Sequence, residues 1–169
     1  MNKFVSHMWY VIDCLIYLFI GPFNALYVIP LFFRGIESSL GIKLQQFNVL
    51  NITGAVLMWV GAFIAIWCSI LMFINSFVSI VPFFKPTTLV TSGPFSQVRH
   101  PMMWALFIVL FGEVLIYSSP FTLLWLLIWI RFSIIYIGKF EEPYLHNNFG
   151  DAYQKYSTLV PRWLPKYFV

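Results

Sequence analysis

Charged side chains are scarce in this chain of 169 residues. Asp, Glu, Lys and Arg together make up 9%, where soluble domains carry roughly 25%. So little polar side chain cannot cover a water-facing surface, which excludes a soluble globular enzyme and a disordered chain. Cysteine is equally sparse. Cys14 and Cys68 lie far apart in apolar stretches and form neither a CxxC nor a metal spacing. They exclude a disulfide scaffold and read as small packing residues. No His/Cys cluster with zinc spacing, no GxSxG and no Walker loop occurs, so no metal is expected and those reaction templates fall away. His7 and His146 are isolated and read as surface residues. The basic residues are too few and scattered for nucleic acid.

What is abundant is hydrocarbon: 60% hydrophobic residues, 21% aromatics and a mean hydropathy of +0.82. Inside lipid every backbone polar group needs an internal partner, so apolar runs become helices. The expectation is an all-α, polytopic integral membrane protein with about four spans of roughly 20 residues each. The first runs from Met8 to Ile29, kinked at Gly21-Pro22 and ended by Pro30. Asp13 interrupts its apolar run and no small-x-small site follows, so it reads as a retained helix rather than a cleaved signal. The second runs from Val49 to Leu71. The apolar remainder to Phe84 lies at the interface or re-enters it, with a fifth span as the alternative. The third runs from Pro101 to Tyr117 and the fourth from Pro120 to Gly138. Only Ser118-Ser119-Pro120 separates these two, which predicts a tight antiparallel hairpin.

Four spans put both termini on one side. Lys3, Lys85, Arg99, Lys139, Lys155, Arg162 and Lys166 then share that side, against Arg34 and Lys43 opposite. Such an excess marks the cytoplasmic face. Trp104 and Trp163 are placed as interfacial anchors. Residues 1–84 form the N-terminal membrane helices, and 85–169 the region that carries chemistry.

Polar, motif-like residues gather in the loop Lys85 to Pro101 and in the tail from Lys139, with Glu141-Glu142 at its start. From the hairpin turn, Pro101 is roughly 27 Å back and Glu141 roughly 33 Å forward at the helical rise, so both reach the same membrane face. Pro101 suits a first helical turn. The unpaired N–H groups of that turn, with Arg99 and His100, make an anion site or a basic cap on lipid headgroups. Glu141 and Glu142 sit near a helix C-terminus, opposing its dipole, and Pro143 marks a helix end or kink. They read either as a solvated acidic pair or as partners of Arg99 and His100 across the hairpin mouth. Asp13, Glu113 and Arg131 lie within the spans, where charges are expensive. Structural roles are expected for Asp13 and Glu113, while Arg131 points toward the cytoplasmic site.

The ordered set Leu89-Val-Thr-Ser-Gly-Pro-Phe95, Arg99-His-Pro101, Glu141-Glu-Pro143, Phe149-Gly150-Asp151-Ala-Tyr153, Tyr156 and Val160-Pro-Arg-Trp-Leu-Pro165 brackets a hydrophobic hairpin. It resembles the isoprenylcysteine carboxyl methyltransferases and their bacterial relatives, with phospholipid N-methyltransferases as more distant kin. The resemblance covers Thr87 to Pro165. It implies S-adenosylmethionine as cofactor, bound at the cytoplasmic mouth by Thr87, Thr88, Leu89, Val90, Phe95, His100, Pro101, Met102, Met103 and Glu141. Two positions where the family usually has Tyr are Phe95 and Met103 here, and Ile137 stands where an Arg meets the substrate carboxylate. Arg131 or Arg162 would substitute in binding the substrate. The expected activity is methyl transfer to a lipophilic acceptor that enters from the bilayer, isoprenylcysteine-like or another small lipid. Arg99 would orient the groups and Glu142 would act as base for an amine acceptor. A noncatalytic membrane protein or transporter subunit, and a nicotinamide-dependent membrane reductase, are the rivals. The expected location is a prokaryotic inner membrane.

Overall fold

The computed structural model describes residues 19–42, 48–76 and 88–165. Lys3, His7, Asp13, Cys14, Lys43, Lys85, Thr87, Lys166 and residues 77–84 of the apolar stretch 72–84, for which a fifth span is the alternative, lie outside the described residues. Among those described, regular structure is entirely helical. A π-helical run, Phe19–Val28, leads directly into α1, Ile29–Ser39. Next come α2, Asn48–Ser76, a 3₁₀ turn at Gly93–Ser96, α3, Pro101–Tyr117, and α4, Pro120–Tyr136. A second π turn, Ile137–Glu141, joins α4 to α5, Glu142–Phe149. Last is α6, Asp151–Leu159.

Two helical runs are long and apolar enough to cross a membrane, Val49–Met72 and Pro120–Phe149. Only 11% of the apolar window of the first is buried within the chain. A soluble core helix would be mostly covered, whereas Val56, Trp59, Phe63, Ile66 and Ile70 are exposed, as suits a helix surrounded by lipid. The 17-residue α3 is shorter, at the lower limit of a span.

Two expected helix ends are corrected. Pro30 does not stop the first helix, which continues to Ser39, and the fourth does not stop at Gly138 but runs on through Pro143 to Phe149. Both prolines fall in the first turn of an α-helix that follows a π turn. A proline ring crowds the carbonyl one turn back, and the wider π turn upstream relieves that crowding. Pro143 thus changes the helical register instead of ending the helix. Arg34, expected in a loop, consequently lies within α1.

α2 and α3 are antiparallel and unusually close. A Cβ on Gly54 would come within 2.5 Å of the Gly112 carbonyl, and one on Gly112 within 2.6 Å of the Gly54 carbonyl. Glycine at both positions lets the backbones touch, and in lipid this packing, not expulsion of water, is what holds helices together. The hairpin turn places Ser118 in the left-handed region at φ 48°. Ser119 then caps α4 by accepting the Thr122 N–H at 3.0 Å. Phe107, Leu110, Val114 and Leu126 form the core between α3 and α4. α1 lies against α4, with Phe33 stacked on Phe121 at 6.1 Å and the Trp125 indole donating to the Ala25 carbonyl at 2.9 Å. Cys68 is fully buried, as a packing residue should be.

Candidate cofactor cleft at the hairpin mouth

The hairpin returns α4 and its extension beside the start of α3, and the tail then closes over both. Three contacts fix the tail. The Arg99 backbone N–H donates to the Pro161 carbonyl at 3.0 Å, Arg99 Nε donates to the Val160 carbonyl at 3.0 Å, and the Trp104 indole donates to the Trp163 carbonyl at 2.7 Å. Trp163 also stacks on Phe107 at 6.3 Å. Trp104 and Trp163 therefore dock the tail onto α3. Beneath them Tyr153, Tyr156 and Val160 pack with Leu89, Leu145 and Phe149. The Tyr156 hydroxyl donates to the Phe95 carbonyl at 2.7 Å, tying the loop to α6. Gly93, at φ 61°, turns the loop where a Cβ would strike Leu71 at 2.7 Å. These loop and tail residues stand next to one another although some sixty positions separate them.

At the centre, Glu142 gathers cations. Its Oε1 accepts from Arg99 Nη1 at 2.8 Å and from Arg162 Nε at 2.9 Å, and lies 3.4 Å from His100 Nε2; its Oε2 accepts from Arg162 Nη2. His100 Nδ1 lies 3.3 Å from Glu141 Oε1. The imidazole is 4% exposed. Burial alone would lower its pKa, but hydrogen bonds and charge from Glu141 and Glu142 outweigh burial and hold it above its ordinary value. Glu142 lies beyond the roughly 20 residues of α4 and its extension that hydrocarbon requires. Burial pushes its carboxyl up, but His100, Arg162 and Arg99 prevail and bring it down to about 2.

In front of this cluster opens a cleft that is partly open to its surroundings. Of the residues expected to hold a cofactor, Thr88, Leu89, Val90, Phe95, His100 and Glu141 line it. Pro101, Met102 and Met103 are not on its wall. Met103 instead packs against the α3–α4 core, because the first turn of α3 directs it inward. Arg99 lines the cleft, whereas Glu142 and Arg162 form the clamp beside it. Arg131 sits on an exposed face of α4 and is not part of the cleft wall, so the structure does not bring it to the site. Four lining residues were not singled out as site residues from the sequence: Met72, Leu145, Tyr153 and Tyr156. Tyr153 and Tyr156 carried a signal, being aromatic residues three apart on a short helix directly before the tail motif. The Tyr153 hydroxyl is buried, and the Arg99 guanidinium lies close enough to interact with it.

The cleft thus offers apolar walls, an imidazole–guanidinium pair, a carboxylate and a buried hydroxyl. Leu89, Val90 and Phe95 suit an apolar ring, Arg99 beside His100 suits an anionic group, and Glu141 suits an amine or hydroxyls. That donor set fits a zwitterionic nucleoside such as S-adenosylmethionine.

Comparison with known proteins places this region. The model of the family described as phospholipid methyltransferase matches residues 49–152. Over 82 residues the chain is 38% identical to a Schizosaccharomyces pombe protein named Protein-S-isoprenylcysteine O-methyltransferase. That alignment covers 48% of this chain and 34% of the yeast protein, so the match spans about a third of the relative's length. No solved structure matches.

Proposed function

The chain belongs to the phospholipid methyltransferase family, and from that premise we propose that it is an integral membrane methyltransferase that uses S-adenosylmethionine to methylate a lipophilic acceptor. The observation that carries the reading is the shared cleft. Thr88, Leu89, Val90, Phe95, Arg99, His100 and Glu141 line one cavity, and its polar groups suit the cofactor's charged ends. When bound, the cofactor supplies an activated methyl group on a sulfonium. The chain's own residues bind, orient and desolvate. His100, held between Glu141 and Glu142, keeps a fixed orientation on the cleft wall beside Arg99. Leu89, Val90 and Phe95 exclude water. With Phe95 and Met103 in place of tyrosines, the site supplies two fewer hydroxyls at those positions, and the Tyr153 hydroxyl is the polar group that remains. Both oxygens of Glu142 are engaged by Arg99 and Arg162, so its role is to position Arg99 and His100. For an amine acceptor, the carboxylate in the cleft that takes the proton is Glu141. Arg162 acts through Glu142 rather than on the acceptor.

The apolar flanks of α2 and α4 suit an acceptor that arrives through the bilayer. The methyltransferase name of the yeast relative supports an isoprenylcysteine-like carboxylate, which would need no base. Four spans with both termini in the cytoplasm, and a cleft on that face, complete the proposal.

The test is calorimetric binding of S-adenosylhomocysteine to the protein in detergent. Micromolar binding is expected, weakened at least tenfold in His100→Gln and Glu141→Gln. Folded wild-type protein that binds no S-adenosylhomocysteine would remove the reading and favour a noncatalytic role, and a response to NADPH instead would favour a reductase. Incubation with methyl-labelled S-adenosylmethionine and total lipid extract, followed by mass analysis, then identifies the acceptor.

A further inference from the structure

Arg131 stands apart from the cleft, on the outer face of α4. With α4 and its extension read as a membrane span, as proposed above, it lies midway through the hydrocarbon. Pro120 behind it and Glu141 ahead of it are each roughly 15 Å away at the helical rise. The residue is exposed, and none of the ion pairs among the described residues includes it. Charges inside a membrane almost always face a bundle interior and pair there, while snorkelling to the interface serves residues near helix ends. Within this chain Arg131 does neither.

The surrounding side chains form a seam. The buried Thr122, Leu126 and Ser133 define the inward face of α4. Trp125, bonded to the Ala25 carbonyl, marks the side that the first helix approaches. At 3.6 residues per turn, Arg131 points about 120° away from Trp125 and nearly opposite the inward face. Leu124 and Arg131 are seven residues apart, as are Leu127 and Ile134, and Ile128 and Ile135. The five apolar members are all exposed. Apolar residues recurring at this spacing make the contact seam of paired helices, and a single polar residue in the seam selects the partner.

The charge at the centre of the seam defines what covers it. A lipid phosphate lies too far away in either leaflet. A carboxylate accepts two parallel N–H bonds from a guanidinium and cancels its charge. This chain does not supply one at that point. Glu37 and Glu113 are buried inside the bundle, and Glu141 and Glu142 belong to the cleft. Asp13 lies outside the described residues, on chain that precedes the run Phe19–Val28, and that run meets α4 at Trp125. Two copies docked through the seam about a two-fold axis would bring Arg131 against Arg131. We propose that the Arg131 face of α4 docks a transmembrane helix of a different membrane protein, one that carries an Asp or Glu at mid-membrane depth.

The test is fluorescence energy transfer from the full chain, labelled and reconstituted in phosphatidylcholine vesicles, to a labelled leucine helix of about 20 residues with Asp, Asn or Leu at its centre. No cofactor or acceptor is present, so the outcome is independent of the methyl-transfer reading. Association with the Asp peptide is expected to be at least tenfold tighter than with the Leu peptide. That advantage should vanish in Arg131→Leu and persist in Arg131→Lys. Moving the Asp seven residues toward one end of the peptide should also abolish it. Equal association of the three peptides overturns the proposal and is the result expected if Asp13 of the same chain already holds Arg131. An Asp advantage unchanged in Arg131→Leu overturns it as well. Energy transfer between two labelled batches of the chain, lost in Arg131→Leu, would assign the face to a second copy instead.

Discussion

At the scale of single residues, Glu142 organises the cleft. One carboxylate holds Arg99, Arg162 and His100, and those three groups come from a loop, the tail and the threshold of α3. Glu142→Gln keeps the shape but leaves the cations facing one another. Stability should fall by about 2–4 kcal/mol, as when a buried ionic network loses a partner, read as a lower unfolding midpoint in detergent. The same cluster sets a pH window. Glu142, held down to about 2 from an ordinary 4.5, contributes stability that is full above 4.5 and lost as pH falls through 2. His100, held above its ordinary 6.5, contributes stability that is full below 6.5 and lost as pH rises through its raised value. Thermal unfolding across pH should therefore plateau between about 4.5 and 6.5 and decline on both sides. His100→Gln should flatten the alkaline decline and leave an acid one.

At the scale of elements, the two helices of the hairpin begin where the sequence places them, at Pro101 and Pro120, because proline at a first turn and a polar Ser-Ser break are local signals. The expected ends at Pro30 and Gly138 differ from the structure because a π turn leaves no mark in hydropathy or composition. The meeting of Arg99 and His100 with the Glu141–Glu142 pair was legible from hairpin arithmetic alone. The inward turn of Met103 and the arrival of Tyr153 were not, since both depend on helix rotation and on how α6 folds back. Glu37 was passed over because a single acid near a helix end looks solvated until its partner Ser119, 82 positions away, is seen. The close α2–α3 crossing yields a direct test. Gly112→Ala puts a methyl group 2.6 Å from a backbone carbonyl that cannot rotate aside. A loss of about 1–3 kcal/mol is expected from such overpacking, measured by chemical or thermal unfolding, while Gly35→Ala, with open space around it, should be close to neutral or slightly stabilising.

At the scale of the whole molecule, the fold has two poles. The cleft lies at one end of the hairpin, and the Glu37–Ser119 contact ties the C-terminal turn of α1 to the other. Single cysteines at Ser39 and Thr158, in a background lacking Cys14 and Cys68, should react with an impermeant maleimide from opposite sides of sealed vesicles. Labelling of both from one side would refute the proposed topology. The tail has a consequence for biosynthesis. Arg99 meets Val160 across 61 positions of sequence, so a nascent chain already inserted through its long apolar helices still lacks the lock on its loop. A ribosome that stalls before Val160 leaves a product that occupies the bilayer but has no closed cleft. Translation thus keeps the protein inert until the loop and the tail can meet.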